Sequence, residues 1–219
     1  MAAYGSGSLI SFEGIEGCGK STQIILLAKR LRAAQKEVVI SREPGATPLG
    51  AKLRALLLDP AYSPDALTEL LLYLADRREH RRQVIAPALQ RGALVLVDRY
   101  VDSTWVYQGF ARDEVEPSLI EKLNRLVVGD DWPKLTFVLD CPAPVGLGRA
   151  RERNRETGVE GVADRFEQRH LDFHESVRQG FLVLAKVEKE RFRVIDADRE
   201  IETIHDDIWR EFSLKYAIN

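Results

Sequence analysis

The stretch Gly14-Ile15-Glu16-Gly17-Cys18-Gly19-Lys20-Ser21 fills the pattern G-x-x-x-x-G-K-[ST]. It follows the apolar run LISFE (9–13) and precedes residues 20–34, where Ile24, Leu27, Ala28 and Leu31 recur at three- and four-residue steps. At ordinary glycine usage, a chance match in a chain this long is on the order of one percent, before a flanking strand and helix are required. Glycines let backbone N–H groups turn inward on an anion, and the following helix adds its positive end. Gly14, Ile15, Glu16, Gly17, Cys18 and Gly19 are therefore the expected phosphate loop. Lys20 brings a charge to the β and γ phosphates of a bound nucleotide, Ser21 a hydroxyl for Mg²⁺, and Thr22 a polar group at the helix start.

Outward from this loop, short β-branched runs alternate with helical patterns. The further strands are EVVIS (37–41), ALVLVD (93–98), LTFVLD (135–140) and FRVID (192–196). Helices are expected at about 47–58, 66–91, 117–128, 142–155, 167–189 and 201–216, with Pro117 in a first turn and Gly92 as a stop. Buried strands alternating with helices predict an α/β fold: a P-loop NTPase-type parallel five-stranded sheet with helices on both faces. Residues 1–8 read as a flexible leader, and 9–219 as a single domain with an Arg-rich lid at about 148–167. The stretch ETGVEGVAD (156–164) suits a mobile flap within it.

Composition narrows the partners. The 219 residues are 45% hydrophobic, and Lys+Arg 32 against Asp+Glu 34 leaves a net charge of -2. That balance gives no global field for nucleic acid or a membrane surface, so anion binding is local. No apolar run is long enough to span a bilayer, and the start lacks a signal-peptide pattern. Cys18 and Cys141 are too few for a disulfide framework, and the four histidines lack ligand spacing. A cytoplasmic location is expected.

Two strands end in aspartate, Asp98 and Asp140, at the edge where open α/β sheets bind ligands. Both are Mg²⁺ candidates. Asp98 is preferred because Arg99 beside it can hold a phosphoryl group, whereas Asp140 reads equally as a capping or structural residue. Arg149, Arg151, Arg153 and Arg155 fall at every second position, which divides them between two faces of a helix. With Glu152 and Glu156 interleaved they read as a solvated, salt-bridged helix, or as arginines that close over transferred charge.

Five segments together resemble the bacterial thymidylate kinases: Phe12 to Ser21, Arg42-Glu43-Pro44-Gly45-Ala46-Thr47-Pro48-Leu49-Gly50, Leu72-Tyr73-Leu74-Ala75-Asp76-Arg77, Asp98-Arg99-Tyr100 with Ser103 and Tyr107-Gln108, and Asp164-Arg165-Phe166-Glu167. The resemblance runs from about residue 9 to about 210 and implies transfer of the ATP γ-phosphate to dTMP, with Mg²⁺. By resemblance, Glu16 lies near the acceptor's 3′-hydroxyl, Tyr73 stacks on thymine, and Arg77 bonds a base carbonyl. Arg99 would hold the acceptor phosphate with Ser103 nearby, Asp98 would sit at the metal, and Thr104 would meet the N3 edge. Tyr107 would pack where a 2′-hydroxyl would clash, with Gln108 alongside, while Arg42 to Gly50 would form the acceptor-side loop, with Arg42 near phosphate, Pro44 near the base and Arg54 adding charge. The uncharged Gly17-Cys18 centre of the loop implies closing arginines in the lid, with Arg153 foremost. Ala46, Trp105-Val106 and a longer flap at 157–163 depart from the usual pattern, and Trp105 is expected to narrow the pocket. The family also implies a homodimer, which a solution mass near that of one 24.8 kDa chain would overturn. Two rival readings stand beside it: a kinase for another nucleoside monophosphate, and an ATP-gated switch with no acceptor.

Overall fold

A computed structural model of the chain describes residues 7–156 and 169–217. Five strands, β1 (Ser8–Glu13), β2 (Val38–Arg42), β3 (Leu94–Asp98), β4 (Leu135–Asp140) and β5 (Phe192–Asp196), form one parallel sheet in the order β2-β3-β1-β4-β5. Its helices are α1 (Lys20–Ala33), α2 (Pro48–Leu58), α3 (Ala66–His80), α4 (Ala86–Gln90), α5 (Val101–Thr104), α6 (Pro117–Val128), α7 (Ala143–Glu156), α8 (Leu171–Val187) and α9 (Ile201–Tyr216). Alternate residues of the central strands enter different cores, as a sheet covered on both faces requires. Ile10 and Phe12 pack with Leu27 of α1, Phe181 of α8 and Ile208 of α9. Leu9 packs on the other side with Val95, Val97, Ala88 of α4 and Val128 of α6. No helix among the described residues is long and apolar enough to cross a membrane.

Because all five strands are parallel, their carboxyl ends share one edge. Those ends are Glu13, Arg42, Asp98, Asp140 and Asp196, so the edge that borders the loops is charged.

Three sequence expectations change. Ser8 already pairs with Leu94, so the strand begins inside the expected leader; residues 1–6 lie outside the described residues. The helix expected over 66–91 is broken by a π-turn at Arg81–Ile85 between α3 and α4. Pro87 explains this, since it has no N–H for the carbonyl one turn earlier and its ring crowds that carbonyl. Finally, α5 runs into a second π-turn, Trp105–Phe110, where no helix was expected. Ser103, Thr104 and Gly109 are weak helix formers, and tertiary packing of this segment against α6 and α8 overrides their propensity.

One face of the sheet carries a buried polar network beneath α5. Ser11 Oγ and Thr136 Oγ1 are 2.8 Å apart, and Arg191 donates to Thr136 and in a fork to both oxygens of Asp102 (2.7 and 2.9 Å). Glu13, fully buried, accepts from Tyr100 N–H (2.8 Å) and the Ser103 hydroxyl (2.6 Å). Burial, followed by the Asp102 charge, pushes its carboxyl up to about 8. The folded state therefore holds a proton that the unfolded chain releases near 4.5, and stability falls as pH rises between 4.5 and about 8. Glu13→Gln removes that titration. Its melting temperature should gain on the wild type steadily over this window, and a pH-independent difference would refute the linkage.

Candidate active site

Residues 14–19 turn from β1 into α1 with Gly14, Gly17 and Gly19 at positive φ. Gly17 (φ 71) is also a point of close approach: a Cβ there would lie 1.9 Å from the carbonyl oxygen of Gly146 on α7. This contact seats α7 against the loop. Three and seven residues beyond Gly146, about one and two helical turns on, Arg149 and Arg153 line the same cavity as the loop, while Arg151 and Arg155 do not. Of the two faces the sequence left open, this is the one that meets the site. Arg149 is anchored to the Ala197 carbonyl (2.9 Å) and Asp198 (3.3 Å), and Arg153 reaches Asn154 (3.3 Å).

Lys20 Nζ donates to the carbonyls of Ile15 (2.7 Å) and Gly14 (3.2 Å), which arches its ammonium over the loop. No acidic residue occupies the first turn of α1, leaving its positive end open to an anion. Ser21 Oγ donates to Asp98 Oδ2 at 2.7 Å, so the hydroxyl and the strand-end carboxylate converge on one point. Two hard oxygen donors fit Mg²⁺, which takes one or two protein ligands and completes its shell with phosphate and water. Asp140 is used differently: Arg178 of α8 forks onto both its oxygens (2.6 and 3.0 Å), and it does not line the cavity. Its structural reading therefore holds.

The cavity, about 780 Å³, continues from the loop into a second half lined by Arg42, Pro44, Arg54, Tyr73, Arg77, Arg99, Ser103, Thr104, Tyr107 and Gln108. Arg99 leaves β3 in a left-handed conformation (φ 67), pinned by its N–H to the Phe12 carbonyl (3.0 Å). Its guanidinium donates to Glu16 Oε1 (2.8 Å), approaches Ser103 Oγ (3.5 Å) and lies 5.0 Å over the Tyr107 ring. The Tyr107 hydroxyl donates to the same Glu16 oxygen (2.9 Å). Burial raises the Glu16 pKa, but Arg99, His174 and Lys20 outweigh it and hold the group well below the usual carboxylate range.

The acceptor-side residues are braced from behind. Arg77 is 1% exposed and donates through Nε to Glu43 (2.8 Å), through Nη1 to Thr104 (3.0 Å) and Asn124 (2.7 Å), and through Nη2 to the Tyr100 carbonyl (2.9 Å). One of its five N–H groups remains for a ligand. The Thr104 hydroxyl donates to Val101 O and accepts from Arg77 and Asn124, so all three of its positions are committed within the protein. Gln108 is oriented by Glu69 (2.6 Å), and Arg54 by the Pro44 carbonyl (3.1 Å). Trp105 stacks on Phe110 and does not line the cavity, so it does not narrow the pocket. The motif residues Asp164, Arg165, Phe166 and Glu167 lie outside the described residues.

Sequence reasoning passed over several members of this site. Glu43 stood in a quoted segment without a role. Arg199, Glu200 and Ile201 line the cavity just past β5, where the rule about strand carboxyl ends would have flagged them. His174 lies seven residues past the Asp164 to Glu167 segment, and nothing in the sequence gives it a role.

A phosphate loop joined to a second, arginine- and aromatic-lined half of one cavity defines a P-loop protein of the nucleotide-kinase class. A thymidylate kinase family profile matches residues 12–208. The chain is 52% identical over 199 residues to a thymidylate kinase of Geobacter sulfurreducens, covering 90% of this chain and 92% of that one. It is 47% identical over 204 residues to that of Nitratidesulfovibrio vulgaris, covering 92% and 94%. The crystal structure of thymidylate kinase from Ehrlichia chaffeensis superposes with a TM-score of 0.76 at 34% identity, covering 95% of this chain and 99% of the other. The chain belongs to the thymidylate kinase family.

Proposed function

We propose that the protein transfers the γ-phosphoryl group of ATP to dTMP, giving ADP and dTDP, as a step of nucleotide biosynthesis with Mg²⁺. The observation that carries this reading is the single cavity in which Lys20 and Ser21 lie on one side, Arg99 and Tyr107 on the other, and Glu16 between them. Backbone N–H groups of the loop and Lys20 hold the donor's phosphates, and Arg99 holds the acceptor's phosphate in line with them. An acceptor phosphate oxygen forms the new P–O bond as the β,γ-bridging oxygen leaves on ADP. That nucleophile is already an anion, so no strong general base is required. Ser21 and Asp98 would hold Mg²⁺, which supplies charge neutralisation at the phosphates. Arg153 meets charge developing during transfer from the α7 side.

Base and sugar selection follow from Tyr73, the remaining N–H of Arg77, and Tyr107. Edge-on contacts with Phe173 (6.1 Å) and Phe181 (6.4 Å) fix the Tyr107 ring, which cannot retreat from a 2′-hydroxyl. At fixed ATP, dTMP should outrun dUMP, UMP and GMP in a coupled ADP assay. Faster turnover of UMP or GMP would sink the thymine-pocket reading, and ATP binding with no acceptor used would favour a switch.

Exposed Leu67 and Leu71 on α3 with Leu119 and Leu126 on α6 support a homodimer. The free, buried thiols Cys18 and Cys141 suit a reducing cytoplasm.

A further inference from the structure

Two buried polar groups face each other behind the phosphate loop. Glu16 Oε2 and His174 Nδ1 are 3.3 Å apart, yet neither atom, nor His174 Nε2, makes a hydrogen bond among the described residues. His174 is fully buried on α8, edge-on to Phe173 at 5.7 Å, and Phe173 is in turn edge-on to Tyr107. A buried carboxylate oxygen and a buried imidazole nitrogen left unpaired are costly, so their approach calls for an account. The other Glu16 oxygen is already taken by Arg99 and the Tyr107 hydroxyl.

We propose that His174 is a positioning residue for Glu16: with a proton on Nδ1 it donates to Oε2 and locks the carboxylate, so that Oε1 holds Arg99 and Tyr107 where the acceptor binds. The proposal rests on the kinase reading for its kinetic consequence, while the contact itself does not depend on which acceptor is used. His174 also contributes to keeping Glu16 ionised. Losing the donor frees Glu16 to rotate within its pocket, and Arg99 then loses its anchor. Lys20 and Ser21 hold the ATP side through separate contacts, so the loss should fall on the acceptor.

His174→Phe keeps an aromatic ring and deletes both nitrogens; His174→Asn keeps a donor near the Nδ1 position. The phenylalanine variant should lose about tenfold in kcat/KM for dTMP with the KM for ATP unchanged. The asparagine variant should recover most of this loss, and in a Glu16→Gln background the phenylalanine substitution should add little. Independently of any acceptor, the Nδ1–H signal of His174 in imidazole NMR should be protected and shifted in the wild type and should lose that signature in Glu16→Leu. An asparagine variant as impaired as phenylalanine, a phenylalanine variant equal to wild type, or a His174 signal indifferent to Glu16 would overturn the proposal. A wild-type chain inactive on dTMP would instead fail the acceptor reading, and the NMR comparison would still decide the contact.

Discussion

Arg99→Ala should lower turnover with ATP and dTMP roughly 10²- to 10³-fold, the usual loss when a preorganised donor to transition-state charge is removed. ATP binding should persist, because Arg99 bonds neither Lys20 nor Ser21. The backbone provides a control. At φ 67 a side chain costs about 1–2 kcal/mol, here offset by the Arg99 N–H to Phe12 and by the Tyr100 N–H to Glu13. Arg99→Gly should therefore be as inactive as alanine yet melt higher, which separates the charge from the strain. Glu16 adds a pH signature. Its depressed pKa gives wild-type stability that is present above the ordinary carboxylate range and is lost as pH falls through the folded value. Without Arg99, the largest of the groups that lower it, part of that contribution disappears, so the stability gap between variant and wild type should be wider at neutral pH than in acid. Near-normal turnover in Arg99→Ala would remove Arg99 from the acceptor site, and with it the geometry on which the function rests.

How far the site was legible differs from residue to residue, for physical reasons. The loop, Ser21 and Asp98 could be read because local rules constrain them: a glycine pattern between strand and helix, and a carboxylate where a parallel strand ends. The five strands were legible as β-branched runs to within a residue or so at either end. The π-turn before Pro87 lay within reach of the same rules, since a proline inside a helical pattern announces a broken ladder. Choosing Arg149 and Arg153 over Arg151 and Arg155 was not, because the choice depends on where Gly17 touches Gly146, a contact 129 positions apart (146 minus 17). Asp140 shows the same limit: only the fold brings Arg178 to it. His174 marks the extreme, a lone histidine that becomes meaningful only when α8 sets it against the loop. Family resemblance named residues that line the cavity better than it named those behind them. Thr104 was expected at the base; it lines the cavity and is also one of the groups that hold Arg77.

Arg77→Ala should cost about 3–5 kcal/mol of stability, the price of leaving a buried charge without its partner. For a chain of this size that lowers the melting temperature by on the order of 10 °C. Among the described residues Arg77 is the largest fully buried side chain, and Glu43, 3% exposed, would keep only His80. His80 cannot replace it, because its two ring nitrogens are taken by Glu43 (2.8 Å) and the Ser41 hydroxyl (2.7 Å), so it cannot also reach the Thr104, Asn124 and Tyr100 groups that Arg77 joins. Asp76 makes the loss depend on pH. Burial, followed by the Glu43 charge, pushes its carboxyl up to about 6, while Arg77 is among the groups that restrain the rise. The folded state binds the proton more tightly than the unfolded chain, whose value is near 3.8, so stability declines as pH climbs from 3.8 to about 6. Removing Arg77 lifts the folded value further, so the decline should extend to higher pH in the variant. Denaturant titrations at pH 5 and pH 8 measure this directly: the variant's deficit should be larger at pH 8. Glu43→Gln combined with Arg77→Met removes both charges and fills most of the volume, and should regain much of the stability without restoring activity. A deficit below about 1 kcal/mol would mean that the Glu43–Arg77 pair is not what holds the acceptor loop against α3, and one equal at the two pH values would mean that Arg77 does not restrain Asp76.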